Sequence, residues 1–492
     1  MELKISLRYA ILASMWRFGR RIHISWVIAA CCLSFVAGVF LCQFAPVGVF
    51  TTAYLICGLV LCTAGIISRR IGLVVLVCLG GMMLGAWRAG STLQVNEQIA
   101  SIISEEVEVT GRVTEDPILR SGKLGFPIQT EQVDGHMISV TLYVRTTQAA
   151  ISRGDTVILH GTLSDGFGSF VASIYQATIK GVLPSGDVIM GIRDWFSDSV
   201  RGVMNEPEAS LGLGFLIGEK SRLPSDLEEA LRIAGLTHVV VASGYNLTIL
   251  VRLGRRLFMK VSKFSATLVA VLLILGFIGV TGLSPSMTRA GLVAGLSLAA
   301  WYYGRRFHPF VLLSLVAAIS VMMKPSYVWR DVGWALSFAA FIGVMIGAPL
   351  FQRYFFGDKK PGVLRQILGE TIAAHLLTLP IILLTFSLAS HVAIISNLLV
   401  LPLVPLAMLM TFSAALVGAG IPLLGQLIAW IAEQVLNYMI VVIYFVSDLP
   451  WAKSELNVSI WVVLVMYGII AAALVYMKHR TKLDIREANV VE

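Results

Sequence analysis

The stretch GLTHVVVASGYNLTILVR, residues 235–252, is strongly apolar and yet carries His238, Ser243, Gly244 and Asn246 near its middle. Membrane segments usually hide such polar groups in protein or in water. Five basic residues end the stretch or follow it: Arg252, Arg255, Arg256, Lys260 and Lys263. Because Lys and Arg collect on the cytoplasmic side, we expect one span that enters from the outside and ends in the cytoplasm.

Composition places the chain among polytopic membrane proteins. Of its 492 residues, 57% are hydrophobic and 14% are charged, whereas soluble domains have about 45–50% apolar and about 25% charged residues. The net charge of +9 needs no nucleic acid to explain it, because cytoplasmic loops of membrane proteins are rich in Lys and Arg. The six cysteines lie in the first three apolar segments, without a disulfide framework or a zinc pattern.

Apolar segments recur along the chain, and together with residues 235–252 they predict about twelve spans. The expected ranges are 26–44, 49–67, 71–87, 264–282, 287–303, 310–323, 332–350, 367–388, 392–417, 423–446 and 458–477. A basic leader and alternating basic loops predict a multi-pass protein of the cytoplasmic (inner) membrane with both termini in the cytoplasm. We therefore expect membrane helices at 1–90, a main membrane domain at 209–478 and a cytoplasmic tail at 479–492.

Residues 105–187 form a different kind of sequence, which we expect on the outer face. Apolar and polar residues alternate in about five short strands with glycine-rich breaks. This pattern favours a small OB-like β-barrel, with a generic β-sandwich as the alternative. OB-folds often bind single-stranded nucleic acid, but this segment holds six basic and ten acidic residues. The barrel would therefore contact DNA through a local patch, Arg112, Arg145 and Lys180, or would dock a partner protein.

Two segments after the barrel are too polar or too short to span a membrane. Residues 188–208 place apolar side chains on one helical face and predict an interfacial amphipathic helix. The run SLGLGFLIG from Ser210 is apolar over too few residues to cross a bilayer. It predicts a buried half-helix or re-entrant segment, with a plain surface helix as the alternative.

Several later spans carry polar residues or prolines at membrane depth. His375 and Asn397 lie within apolar segments, and Arg289 begins a span. Prolines 380, 402 and 405 interrupt helix hydrogen bonds, which is tolerated where the backbone faces protein or a wet cavity. Each residue alone is compatible with a satisfied interhelical hydrogen bond, but together with His238 and Asn246 they favour a polar pathway.

The sequence offers no catalytic constellation. His238 and Ser243 are five residues apart without a G-x-S-x-G elbow, and there is no Walker loop, H-E-x-x-H motif or carboxylate cluster. We therefore expect no enzymatic activity, no cofactor and no metal site.

The run LGLGFLIGEKSRLPSDLEEALRIAGLTHVVVASGYNLTIL, residues 211–250, resembles the signature of the ComEC/Rec2 family of DNA-internalisation competence proteins. SMTRAGLVAG, DVGWALSFAAFIG, LLTLPIILLTF and ISNLLVLPLVPLAM follow in that family's order. The leading spans and the OB-like barrel are similar to the family's amino-terminal module. The resemblance covers nearly the whole chain, but the H-x-H-x-D-H run of the family's metallo-β-lactamase-like domain is missing. We therefore expect the chain to lack nuclease activity.

The resemblance implies a channel that carries single-stranded DNA across the cytoplasmic membrane in natural transformation. The candidate lining residues are His238, Ser243, Asn246, Arg289, His375 and Asn397. Lys220, Arg222 and Arg232 would form an outer mouth, and Arg252, Arg255 and Arg256 would meet the strand inside. Implied partners are membrane lipid, a DNA receptor outside, a cytoplasmic ATPase and single-strand-binding proteins inside, and possible separate nuclease activity. The alternatives are a secondary transporter or lipid-precursor flippase, and an envelope scaffold.

Overall fold

The computed structural model describes residues 22–44, 52–68, 70–120, 122–147, 151–220, 222–240, 243–282, 284–305, 308–357 and 361–483. The expected basic leader and most of the expected tail lie outside these residues. The described residues form two compact units. One comprises the helices up to Ile102 together with residues 308–331, and the other holds the barrel and the remaining helices.

The first unit is a bundle whose helix backbones approach closely. Its helices are α1 (Ile24–Cys42), α2 (Thr52–Ser68), α3 (Val74–Ser101), α11 (Pro309–Met323) and α12 (Tyr327–Arg330). A Cβ on Gly38 of α1 would collide with the Met82 carbonyl of α3, so glycine is required at this contact. The Trp329 indole N–H donates to the Val39 carbonyl at 3.0 Å and fixes α12 against α1.

The barrel at residues 106–183 confirms the expected OB-like domain. Its strands are β1 (Glu106–Val113), β2 (Ile118–Arg120), β3 (Lys123–Val133), β4 (Thr141–Thr146), β5 (Thr156–Asp165), β6 (Ala172–Tyr175) and β7 (Thr178–Leu183). Strands β1, β3, β4, β6 and β5 pair in that order, and β5 pairs back with β1, which closes a five-stranded barrel. Alternate residues of β1, such as Val107 and Val109, point into the core, as the sequence pattern predicts.

The rest of the second unit is helical. Its helices are α4 (Val188–Arg201), α5 (Glu208–Ile217), α6 (Ser225–Ile233), α7 (Thr237–Val240), α8 (Gly244–Phe258), α9 (Lys263–Thr281), α10 (Pro285–Tyr302), α13 (Val332–Ile342), α14 (Ala348–Phe356), α15 (Val363–Phe386), α16 (Ala393–Val400), α17 (Val404–Gly418), α18 (Pro422–Ser447) and α19 (Ile460–Thr481). A π-helical turn, Gly343–Gly347, joins α13 to α14. Short strands β8 (Leu388–Ser390) and β9 (Lys453–Glu455) pair antiparallel.

Eight helices or helix pairs in the described ranges are long and apolar enough to cross a membrane. The sequence predicts about twelve spans. The other four are present as shorter or more polar helices: α2, α11, α10, and the broken pair α7 and α8. Helix α5 is almost completely buried, which confirms the expected buried half-helix. A multi-pass helical membrane protein with a small barrel is therefore the observed fold class.

Two arginines attach the barrel to the helices of its own unit. Arg153, between β4 and β5, donates from Nη1 to the Thr281 carbonyl at 2.8 Å and so satisfies the C-terminal end of α9. Arg193 of α4 forms a two-point ion pair with Asp116, with 2.9 Å between Nη1 and Oδ1. The Arg193 side chain is buried, so this pair is shielded from solvent.

Helix α4 also reaches the turn that follows α5. Arg201 Nη2 lies 2.9 Å from Glu219 Oε1, and the Ser197 hydroxyl donates to Glu219 Oε2 at 2.7 Å. One helix thus holds the barrel at one end and the α5–α6 turn at the other. On its outer side, Ile192 and Trp195 are exposed. Such an apolar outer side suits the expected interfacial position, which stays a prediction.

Substitution of Gly282 by Ala should loosen the attachment of the barrel. Gly282 has φ +90°, which L side chains rarely adopt, and a Cβ there would collide with the Arg153 guanidinium. We expect a loss of about 2 kcal/mol and an apparent Tm lower by about 2 °C for the detergent-purified protein. Gly276→Ala, in α9 with open space around its Cβ, is the matched control and should leave Tm unchanged or higher. Equal losses in both variants would contradict this role of Gly282.

Candidate functional site

The stretch 235–252 is not one membrane span. Helix α7 and helix α8 are separate, and Ser243 between them is extended, with φ −118° and ψ 159°. The Ser243 hydroxyl accepts a hydrogen bond from the Asn246 amide N–H at 3.4 Å, so Ser243 is the N-cap of α8. The expected single span is therefore wrong, because a capping residue restarts the helix in the middle of the apolar run.

Asn246 is fully buried and has no surface to offer a pathway. Its amide Nδ2 donates to the Phe215 carbonyl of α5 at 3.0 Å and to the Val239 carbonyl of α7 at 3.1 Å. A single side chain thereby ties three short helices together at the break. The expected lining role of Asn246 is corrected to a structural one.

Arg289 and Asn397 are also buried. Arg289 Nη2 donates to the Gly333 carbonyl at 2.9 Å, and its guanidinium lies 5.8 Å from the centre of the Phe338 ring. Asn397 Nδ2 donates to the Ala393 carbonyl at 2.7 Å within its own helix. With 1% and 6% of their surfaces exposed, neither residue lines an accessible space. The expected lining role is therefore corrected for both.

His238 and His375 combine a deep position with accessible surface. The His238 imidazole donates to the Gly235 carbonyl and is densely surrounded by protein, but it remains exposed to solvent. This combination is typical of a side chain that lines an internal space. His375 of α15 is within electrostatic reach of His238, and His391 is within reach of His375. The exposed His391 ring shares a hydrogen bond of 2.8 Å with the Ser454 hydroxyl.

Helix α8 carries a polar stripe from the break to its basic end. Tyr245, Thr248, Arg252 and Arg256 are exposed and lie on one helical face. The opposite, apolar face packs against α9 and α10. Tyr245 is within electrostatic reach of both Arg252 and Glu370 of α15. Polar groups of α8 and α15 therefore lie within electrostatic reach of each other inside the membrane domain.

We call these groups together the polar row. It consists of His391, His375, His238, Tyr245, Thr248, Glu370, Arg252 and Arg256. His238, His375, Arg252 and Arg256 were predicted from the sequence, whereas His391, Tyr245, Thr248 and Glu370 were not. The Glu370 carboxylate, beside Gln366 at 2.8 Å, could have been recognised, because an ionisable residue near a span is a functional candidate by default. Arg255 lies outside the row, and its guanidinium carbon stacks 4.9 Å from the centre of the Trp301 ring.

The expected outer-mouth cations are not gathered at the polar row. Arg232 forms a two-point ion pair with Glu229, with both contacts at 2.7 Å. Lys220 and Arg222 lie in the turn between α5 and α6, where Arg222 is exposed. The charge of Arg232 is thus already compensated.

On the barrel, two of the three expected DNA-contact residues are paired with carboxylates, and only Arg145 lines a cavity. Arg112 is 3.4 Å from Asp187, and Lys180 is paired with Glu108. Arg145 instead lines a cavity of about 290 Å³ together with Lys123, Gln176 and three threonines. Nearby, the rings of Tyr143, Phe167 and Phe170 lie 5.1–5.3 Å apart. Of two further aromatic residues of the barrel, Phe126 lies in the core and Tyr175 is exposed.

The fold defines a multi-pass membrane protein, and the polar row lies in its membrane domain beside a broken helix. Family comparison identifies the class further. The model of the competence protein family matches residues 215–480, so the chain belongs to this family and has a role in competence. Within the described residues, no three His, Cys, Asp or Glu side chains are grouped as they would be to hold a metal ion.

Among curated proteins, the chain is similar to ComE operon protein 3 of Bacillus subtilis (strain 168). The two are 24% identical over 250 residues, which cover 47% of this chain and 30% of that relative. The match thus spans less than a third of the relative's length. No solved structure matches the chain.

Proposed function

We propose that this protein carries single-stranded DNA across the cytoplasmic membrane during natural transformation, without enzymatic activity of its own. The observation that carries the proposal is the polar row, which runs along the broken helix α7–α8 and along α15 in a membrane domain of a competence-family chain. Intramembrane ionisable groups of this kind typically mark a substrate path.

The chemistry of the row suits a strand with one negative charge per nucleotide. Arg252 and Arg256 supply positive charge at one end, and the imidazole rings of the row can donate hydrogen bonds. The Tyr245 and Thr248 hydroxyls already donate to the Leu401 and Gly244 carbonyls. Glu370, which like Arg252 lies within electrostatic reach of Tyr245, limits how tightly a phosphate is held. A conduit needs this balance, because an ion that binds too strongly does not leave.

The barrel supports the same proposal on the outer side. Arg145 and Lys123 can contact phosphate, and the exposed edge of the Tyr143, Phe167 and Phe170 group can stack a base. The acidic remainder of the barrel repels DNA and would restrict contact to this patch. Arg112 and Lys180 are engaged with carboxylates and are not part of this proposed contact.

Orientation and partners complete the proposal. The basic end of α8 would face the cytoplasm by the positive-inside rule, with both termini on the same side. The sequence has no nucleotide-binding motif, so a cytoplasmic ATPase would drive inward movement and single-strand-binding proteins would receive the strand. A DNA receptor and a separate nuclease would act outside.

The broken helix also favours a second candidate, a secondary transporter or lipid-precursor flippase. Discontinuous helices at the midplane are the usual sites of such proteins. A transporter should depend on an ion gradient and a small substrate, whereas a DNA channel should depend on the other competence proteins. Dependence on an ion gradient alone would favour the transporter over the channel.

Labelled DNA tests the proposal directly. In a competent strain deleted for this gene, fluorescent DNA should accumulate outside the cytoplasmic membrane, and none should reach the cytoplasm. The intact gene should restore entry, and His238→Ala should restore it poorly although the protein reaches normal levels. Normal entry of label into the cytoplasm of the deletion strain would refute the channel.

A further inference from the structure

A second cationic cavity lies between the ends of α14 and α19, apart from the polar row. It has a volume of about 360 Å³ and is lined by Arg353, Tyr354, Arg480 and Thr481. Its side chains include two guanidinium groups and the Tyr354 hydroxyl, which can donate hydrogen bonds. The Thr481 hydroxyl already donates to the Met477 carbonyl at 2.8 Å. Such a lining is complementary to an anion with several acceptor oxygens.

The surroundings of this cavity are apolar and outward-facing. Helix α19 is the least enclosed of the eight candidate spans, with only 6% of its apolar window buried. Phe355 and Tyr476 beside the cavity are 58% and 51% exposed. The Tyr354 and Tyr476 rings meet edge to face at 6.2 Å, and the Arg480 guanidinium lies 5.8 Å from the Tyr476 ring. Aromatic side chains with arginine are typical of the membrane–water interface.

We propose that this cavity binds the phosphate headgroup of an anionic membrane lipid, with the acyl chains lying along α19. Arginine matches phosphate because its planar fork can donate two parallel hydrogen bonds. Basic pockets between membrane helices are known to hold anionic headgroups. A free phosphate ion has the same headgroup chemistry, but it makes no use of the exposed apolar surface of α19 beside the arginines.

Native mass spectrometry of the full-length chain in detergent tests this site with two probes, phosphatidylglycerol and phosphatidylcholine. The wild type should retain phosphatidylglycerol and not phosphatidylcholine. The double variant Arg353→Gln/Arg480→Gln should retain roughly thirtyfold less phosphatidylglycerol. The control Lys260→Gln/Arg305→Gln removes the same charge from exposed positions outside the cavity and should bind as the wild type does.

Competition separates the possible sources of phosphate. Excess inorganic phosphate should leave the lipid bound, since the acyl chains contribute to its binding. Displacement by inorganic phosphate, or by a single-stranded oligonucleotide, would overturn the lipid assignment. Undiminished retention by Arg353→Gln/Arg480→Gln would overturn it as well. The variant Arg353→Lys/Arg480→Lys, which keeps the charge, should retain an intermediate amount of lipid and excludes misfolding as the cause of loss.

Discussion

Reversal of the charge at Arg252 should reduce transformation about a hundredfold or more. Arg252 is exposed on the polar stripe of α8, within reach of the groups that we propose to meet the strand. At an effective dielectric constant of about 20, a unit charge about 6 Å from a phosphate contributes about 3 kcal/mol. If the free-energy barrier to transit rises by this amount, transit becomes about a hundredfold slower. The measurement is the transformation frequency of a deletion strain that carries Arg252→Glu.

Two companion variants make this result specific to the polar row. Arg252→Lys keeps the charge and should retain most of the activity. Arg305→Glu reverses an exposed charge that follows α10, outside the row, and should have little effect. All variants must be present in the membrane at equal amounts. If Arg305→Glu lowered the transformation frequency as much as Arg252→Glu, the effect would come from the overall positive charge of the protein. The proposed path along α8 would then be rejected.

Loss of the Glu219 carboxylate should destabilise the protein more than loss of any exposed carboxylate. The Arg201 and Glu219 side chains are 14% and 11% exposed, and removal of one partner from a buried pair costs about 3–5 kcal/mol. Arg201 keeps a contact of 3.1 Å with Glu206, so we expect about 3 kcal/mol. The apparent Tm of Glu219→Ala should then fall by roughly 3 °C.

An exposed pair and a pH series provide the controls. Glu229→Ala breaks the Arg232 pair, whose side chains are about half exposed, and should cost about 0–1 kcal/mol. Burial raises the pKa of Glu219, but hydrogen bonds from Arg201 and Ser197 outweigh it, so the net pKa is lowered. The stabilisation is therefore complete above the ordinary Glu pKa of about 4.3 and is lost as the pH falls through the lower folded value. A Tm difference between wild type and Glu219→Ala that persists below that value would exclude the ion pair as its cause.

Sequence patterns predicted the fold class and most element positions, because strand alternation and long apolar runs are local signals. The break at Ser243 was not predicted, because the high average hydropathy of residues 235–252 hides a polar stripe at helical spacing. The stripe consists of Tyr245, Thr248, Arg252 and Arg256. That spacing is present in the sequence, and it distinguishes an amphipathic helix from a span.

The roles of individual polar residues were less predictable. A polar side chain in an apolar segment can remain exposed, as His238 does, or bond to a main-chain carbonyl in the interior, as Asn246 and Arg289 do. Both solutions satisfy the same hydrogen-bonding requirement. Ion pairs such as Lys180 with Glu108 join residues far apart in sequence. Tertiary packing determines which partner each polar side chain contacts, and the local sequence carries no pattern that predicts it.

The break at Ser243 has an electrostatic consequence of its own. A helix that begins inside a membrane domain directs the aligned dipoles of its peptide groups there, equivalent to about half a positive charge at its first turn. Helix α8 begins beside the row and so contributes backbone charge that no side-chain substitution can remove. Single substitutions along the row would then weaken attraction for an anion without reversing it, and only a change that straightens the chain through Ser243 would abolish this field.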